Sequence, residues 1–171
     1  MTALFERRLR SEWELLQALA ACNPGRLAGL EQRTGEFHLR LHGPAAMSLR
    51  NGLPQCIVTV HAVRIDFPVH FPAVPMEMFL AAPVFHPNVH PETGFVCLWD
   101  RHRVNNTVEH ALHKLASMLA GELRNTTALH VMQPAAVVAP LQYGSAMPLQ
   151  GVAYEAAALD TALPGRRQRL R

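Results

Sequence analysis

At 171 residues the chain has the length of one domain, and 49% hydrophobic against 17% charged residues supplies a full core, which excludes wholesale disorder. The formal net charge of +3 owes much to a tail, since Arg166, Arg167, Arg169 and Arg171 all stand in the last six residues; without aromatic interleaving or a recognition motif, nucleic acid is not an expected partner. Residues 78–85 and 134–141, the longest apolar stretches, fall short of a membrane span, and no apolar run follows the charged start, so neither a membrane segment nor a signal peptide is expected.

The first predicted element is an amphipathic helix over residues 5–20. Phe5, Leu9, Trp13, Leu16 and Leu19 or Ala20 recur at helical spacing, with Arg7, Arg8, Arg10 and Glu14 on the other face, and Asn23-Pro24-Gly25 stops it. Strand-like material follows. Phe37, Leu39 and Leu41 alternate with His38, Arg40 and His42, and Gly43-Pro44 is expected to end the run. Asn51-Gly52 is a turn signal, residues 56–67 are rich in β-branched side chains, and Pro68, Pro72 and Pro75 punctuate the chain before a strand over residues 76–81. No helix-length segment separates these runs, so they read as an antiparallel meander of three or four strands.

Past Cys97 the pattern is helical again. Asn106 is the expected cap, with Glu109 three residues on, and Val108, Ala111, Leu112, Leu115 and Leu119 form a stripe that Gly121 ends. Residues 122–133 read as irregular, Pro134 starts a short helix, and residues 152–163 are a further helical candidate before Pro164-Gly165. The fold class is α+β, with helices on one face of an antiparallel sheet of about four strands. Residues 1–163 form the expected domain and residues 164–171 a basic tail.

Residues 84–99 read VFHPNVHPETGFVCLW. Valine and leucine flanking Cys97 suggest a strand end, where a thiol is ordinarily inert filling; the proline-rich polar loop upstream suggests irregular backbone held for a purpose. Cys22, Cys56 and Cys97 are odd in number and widely spaced, which argues against a disulfide framework and for a reducing, cytoplasmic setting.

In order along the chain stand Phe67-Pro68, Phe71-Pro72-Ala73-Val74-Pro75, His86-Pro87-Asn88 and Gly94-Phe95-Val96-Cys97-Leu98. This series, with a helix before and another after, resembles the ubiquitin-conjugating enzymes, which carry ubiquitin or a ubiquitin-like protein as a thioester. The close match covers about residues 60–100. The resemblance implies the family's fold and a thioester-forming acyltransferase without cofactor or metal. Cys97 would be the acyl carrier, and Asn88 would supply the oxyanion donor or hold the adjacent loop, two roles the sequence does not separate. His86, the third residue of the catalytic motif, would hold that loop. The chemistry agrees: a thiolate is the competent nucleophile, and a placed amide steadies the tetrahedral oxyanion. Arg7, Arg8 and Arg10 on the first helix become candidates for docking an activating enzyme, with a solvated face as the plain alternative.

The departures narrow the partners. An aromatic residue is common in the family where Ala73 stands, and a Ser-Pro-Ala loop where Val104-Asn105-Asn106-Thr107 stands, so a RING-type ligase of the familiar kind is not expected; direct transfer to a target, or a different adaptor, is. The family's tryptophan about eight residues after the cysteine is missing; Trp99 follows Cys97 by two. Residues 122–133 hold no aspartate or serine to orient an incoming lysine, leaving Glu122, Asn125 or His130 as substitutes. The altered loops and composition suggest a bacterial member, of the kind encoded with an activating enzyme, a ubiquitin-like protein and a deconjugating protease in antiviral-defence operons. Lys114 is the single lysine beside fifteen arginines. Coding bias explains that most cheaply; depletion of self-targets in a thioester carrier is the other explanation. Two rivals remain. One is a catalytically inactive variant that binds ubiquitin-like proteins as a module. The other is a metalloenzyme using some of the ten histidines, whose spacings match no metal signature.

Overall fold

Helix α1 (Ala3–Cys22) buries Phe5, Leu9, Leu16 and Leu19 along one face. Its end is set by Asn23, whose side chain donates to the Leu19 carbonyl (2.8 Å) and so satisfies one of the open carbonyls of the last turn. The computed structural model describes residues 3–99, 101–144 and 148–152; the helical candidate at 152–163 falls almost wholly outside them, and the basic tail entirely so.

Four strands follow in an antiparallel sheet of order β1-β2-β3-β4: β1 (Leu27–Arg33), β2 (Glu36–Arg50), β3 (Leu53–Asp66) and β4 (Glu77–Leu80). The predicted alternation holds, with Phe37, Leu39, Leu41, Val63 and Ile65 buried on the inner face. Asn51 (φ 52°) and Gly52 (φ 75°) both take left-handed backbone, the geometry of a two-residue hairpin turn.

Two strand expectations are corrected. Gly43-Pro44 does not end β2. The register shifts between His42 and Ala46 and pairing resumes at Ala46↔Val58, so the pair makes a bulge and β2–β3 continues as a long hairpin arm. Strand β1 was not expected, because Leu27 alone of its residues is buried and edge position hides its periodicity.

Helix α2 (Val108–Leu119) packs beside α1 over the inner face, with Leu112, Leu115, Met118 and Leu119 in the core. Its cap is Thr107 rather than Asn106. The Thr107 hydroxyl accepts from His110 N–H while His110 Nδ1 accepts from Thr107 N–H, closing a capping box one residue later than predicted. The shift frees Glu109 to accept from Val152 N–H (2.7 Å). It also presents Val108 N–H to Glu12, a carboxylate only 2% exposed that reaches from α1 (2.7 Å) and pairs with Arg8 (2.8 Å). Burial raises the Glu12 pKa, opposed by the Val108 N–H and Arg8. Short 3-10 turns at Ala128–His130 and Pro134–Ala136 lie in the otherwise irregular segment after α2.

Candidate active site

No helix or strand carries the site; it lies between β4 and α2, on a segment held by specific contacts. Residues 94–96 run along the outer edge of β4, where Leu80 N–H donates to Gly94 O (2.9 Å) and Val96 N–H to Met78 O (2.8 Å). Gly94 has φ 70°, and a Cβ there would stand 2.0 Å from the Leu80 carbonyl oxygen, so both conformation and approach require glycine. Val96 and Leu98 are buried on either side of Cys97. They act as apolar pegs, and the intervening residue is left half-buried. Cys97 lines a pocket of about 180 Å³ with Pro75, Met76, Glu77, Trp99 and His102.

Of the His86-Pro87-Asn88 tripeptide, Asn88 meets Cys97 directly. Cys97 N–H donates to the Asn88 carbonyl (2.8 Å), and the Asn88 side-chain Nδ2 donates back to the Cys97 carbonyl (3.0 Å). Asn88 Oδ1 accepts from Asn125 N–H (2.8 Å), and Asn88 N–H donates to His86 Nδ1 (3.2 Å). Asn88 and His86 are each 3% exposed. The loop between them and Cys97 is closed by His90, whose Nδ1 accepts from Glu92 and Thr93 N–H (3.3 and 3.2 Å).

A strap of residues 122–133 covers the loop from outside. Gln133 is buried, and its Nε2 donates to both Val84 O and Val89 O (2.8 Å each), bridging the two flanks of the tripeptide. Met132 N–H donates to Pro87 O (2.7 Å), and Asn125 Nδ2 to His130 O (3.0 Å). Sequence reasoning missed Gln133 and Glu12. The one available signal was a polar side chain inside an apolar context, Gln133 between Met132 and Pro134.

Residues 32–136 match the family model described as ubiquitin-conjugating enzyme. The chain belongs to the ubiquitin-conjugating enzyme family. Among solved structures it is similar to a ubiquitin conjugating enzyme from Trypanosoma cruzi, at 16% identity and TM-score 0.55, covering 78% of this chain and 85% of that one. It is also similar to the H. polymorpha ubiquitin conjugating enzyme Pex4p, solved with the soluble domain of Pex22p, at 17% identity and TM-score 0.57 over 78% and 85% of the two chains. These likenesses show the shared fold. No curated protein matches the chain in a sequence comparison. No helix among the described residues is long and apolar enough to cross a membrane.

Within this family frame, the buried His86 imidazole is neutral near pH 7. Burial lowers its pKa to about 4, against a raising influence from the Leu123 backbone. With Nδ1 accepting from Asn88, the ring proton belongs on Nε2. A neutral, enclosed imidazole is a brace for the loop.

The three arginines of α1 do not share one environment. Arg7 and Arg10 are exposed. Arg8 turns inward, ion-paired to Glu12, donating to Asn106 O (3.4 Å) and lying over the Phe71 ring (5.6 Å). Its guanidinium therefore joins α1 to the loop before α2. Of the three candidates for orienting an acceptor, Asn125 is committed to Asn88 through its backbone, His130 lends its carbonyl to Asn125, and Glu122 is exposed. Trp99 carries the single lysine over its ring, with Lys114 Nζ 5.5 Å from the centroid.

Proposed function

We propose that this member of the family accepts a ubiquitin-like protein from an activating enzyme as a thioester on Cys97 and transfers it to an amine of a target protein. In the first step the Cys97 thiolate attacks the carbonyl carbon of the incoming thioester, and the activating enzyme's sulfur leaves. In the second, an amine nitrogen attacks the Cys97 thioester, Sγ leaves as thiolate, the nitrogen loses a proton and an amide remains. The observation that carries this reading is the reciprocal pairing of Asn88 and Cys97, which fixes a half-buried thiol at a pocket beside a side-chain amide. One Nδ2 hydrogen of Asn88 is bonded to the Cys97 carbonyl. The second is the donor we assign to the oxyanion, where such an amide lowers the barrier by ~3 kcal/mol.

Ala73 and the Val104–Thr107 loop, lacking the residues that commonly meet RING-type ligases, support direct transfer. The composition, with fifteen arginines to one lysine, supports a bacterial pathway. The exposed Arg7 and Arg10 are the residues we assign to the activating enzyme, without Arg8.

The test is incubation with ATP, an activating enzyme and a ubiquitin-like protein. A reductant-sensitive adduct on the native chain, and a reductant-stable amide-linked adduct on Cys97→Lys, are expected. Binding of the ubiquitin-like protein with no adduct on the native chain would refute catalysis and favour the binding module.

A further inference from the structure

Directly opposite residues of antiparallel strands point to the same face, with Cβ atoms about 4.5–5.5 Å apart, so a register states which side chains are neighbours. Residues 94–96 run antiparallel along β4. Leu80 N–H donates to Gly94 O (2.9 Å), Val96 N–H donates to Met78 O (2.8 Å), and Phe79 bridges to Phe95. The Phe79 and Phe95 rings bear the register out, meeting edge to face with centroids 5.6 Å apart. Two residues further on, the same register sets Glu77 opposite Cys97, on the face that Phe79 and Phe95 share. Met78, Leu80, Val96 and Leu98 take the buried face between them. Glu77 and Cys97 both line the pocket of about 180 Å³. The polar backbone groups of Cys97 turn the other way, its N–H and C=O both bonded to Asn88 (2.8 and 3.0 Å). Glu77 and Cys97 are therefore opposed without a backbone bond between them, the arrangement that brings side chains closest.

On its other side Glu77 stands opposite Asp66 of β3. Like charges directly opposite repel. Asp66 is relieved by Arg64 (2.8 Å), whose guanidinium also lies over the Phe79 ring (4.3 Å). Glu77 has no such relief: it is exposed, and among the described residues its carboxylate has no ion pair or hydrogen bond. A lone carboxylate between a like charge and a thiol is a local cost that nothing in the described residues offsets, which points to a cation from outside the chain.

We propose that Glu77 positions the acceptor: its carboxylate receives the ammonium of a lysine side chain and holds the nitrogen at the Cys97 thioester. This rests on the thioester reading given above and names the residue that meets the amine. The pocket suits such a side chain, with Pro75, Met76 and Trp99 as apolar walls for the aliphatic stem. Once docked, the ammonium gives one proton to water, and the neutral nitrogen attacks the thioester carbonyl carbon. Sγ leaves as thiolate, and the nitrogen releases a second proton to water as the amide forms. The carboxylate stabilises the nitrogen whenever it is positively charged, before the first proton leaves and after the new bond forms. Asn88 acts from the opposite side of Cys97, so the two side chains do not compete for space.

The experiment is single-turnover discharge of ubiquitin from Cys97 of the full chain carrying Cys22→Ser and Cys56→Ser. Ubiquitin prepared as a small-thiol thioester loads Cys97 by exchange, without an activating enzyme. Discharge with free lysine measures aminolysis, and discharge without amine measures hydrolysis. The ratio of aminolysis to hydrolysis is expected to fall roughly 10-fold in Glu77→Gln, to fall further in Glu77→Lys and to recover in part in Glu77→Asp. Added salt should lower the ratio when Glu77 is present and leave it unchanged in Glu77→Gln, since screening acts on charge. An unaltered ratio in Glu77→Gln overturns the proposal, as does a parallel fall of aminolysis and hydrolysis, which marks a structural role alone. The two readings fail separately. Absence of any thioester on Cys97 removes both, whereas a thioester that discharges to lysine at the same ratio with and without the Glu77 carboxylate removes only this one.

Discussion

The buried imidazole of His86 makes the stability of the active-site loop depend on pH in a direction that can be worked out. Its pKa is about 4 in the folded chain against 6.5 for the free side chain, so the unfolded chain binds its proton first. Stability from this group is therefore fully present above pH 6.5 and is lost as pH falls toward 4. Between about pH 7.5 and pH 5 the loss is 1.36 kcal/mol times the logarithm of the ratio of the two binding polynomials, or ~2 kcal/mol. That is a large share of the ~5–15 kcal/mol by which a domain is stable. The comparison variant is His86→Asn, whose Oδ1 can replace Nδ1 as acceptor for Asn88 N–H and does not titrate. Two other buried groups contribute to the pH dependence. Burial lowers the pKa of His61, which adds stability loss of the same sign, and raises that of Glu12, which acts oppositely. Both persist in the variant and cancel in the difference. Urea unfolding of the two proteins at both pH values should show the native chain's advantage over His86→Asn shrinking by ~2 kcal/mol on acidification. An unchanged advantage would refute the claim that His86 is enclosed and neutral.

Gly94→Ala should destabilise by ~2–5 kcal/mol, from left-handed backbone and overlap with the Leu80 carbonyl, and an effect under ~1 kcal/mol in thermal unfolding would contradict the approach described. Gln133→Met keeps the volume but leaves the Val84 and Val89 carbonyls without their donor. It should cost ~2–5 kcal/mol in urea unfolding and raise hydrogen exchange around the active-site loop. Asn88→Ala separates the two roles of that residue. If its amide meets the oxyanion, single-turnover discharge of the Cys97 thioester to a free amine should slow by ~10²–10³ while thioester formation falls far less; if it only holds the loop, both should fall together with stability.

Much of the candidate site's geometry was legible because its residues are closely spaced. Asn88 and Cys97 are nine apart and directly bonded, and the turn between them is written in Pro91, Thr93 and Gly94. The inner face of β2 was equally plain, since Phe37, Leu39 and Leu41 alternate with polar neighbours. The unreadable parts depend on partners far away in sequence. Glu12 looks like a solvated helix residue until α2 arrives 96 positions later, and Gln133 has no evident purpose until Val84 and Val89, 49 and 44 positions earlier, are placed beside it. Gly43-Pro44 misled for a local reason. The pair ends regular pairing, and only the β-rich run of residues 53–60, supplying a partner strand, shows that β2 resumes beyond it.

These long-range contacts explain how an irregular segment can hold Cys97 still. Between Leu80 and Thr107 the described residues form no helix or paired strand of their own beyond isolated bridges, so their backbone groups must find partners one by one. The apolar pegs Val89, Val96 and Leu98 fix how deep the segment sits, because burial is proportional to area and indifferent to direction. Orientation comes from His86, Asn88 and Gln133, whose hydrogen bonds are directional and, at 3–7% exposure, are costly to break because water cannot replace them. Asn88 has the most demanding position, with one end tied to Asn125 and the other to Cys97. A side chain so placed sets the backbone of Cys97, the proposed nucleophile, in advance, and any oxyanion donor it offers is already oriented without further loss of freedom. In the proposed reaction, loop holding and charge stabilisation would then be successive uses of one amide, and a rigid Asn88 is the condition for both.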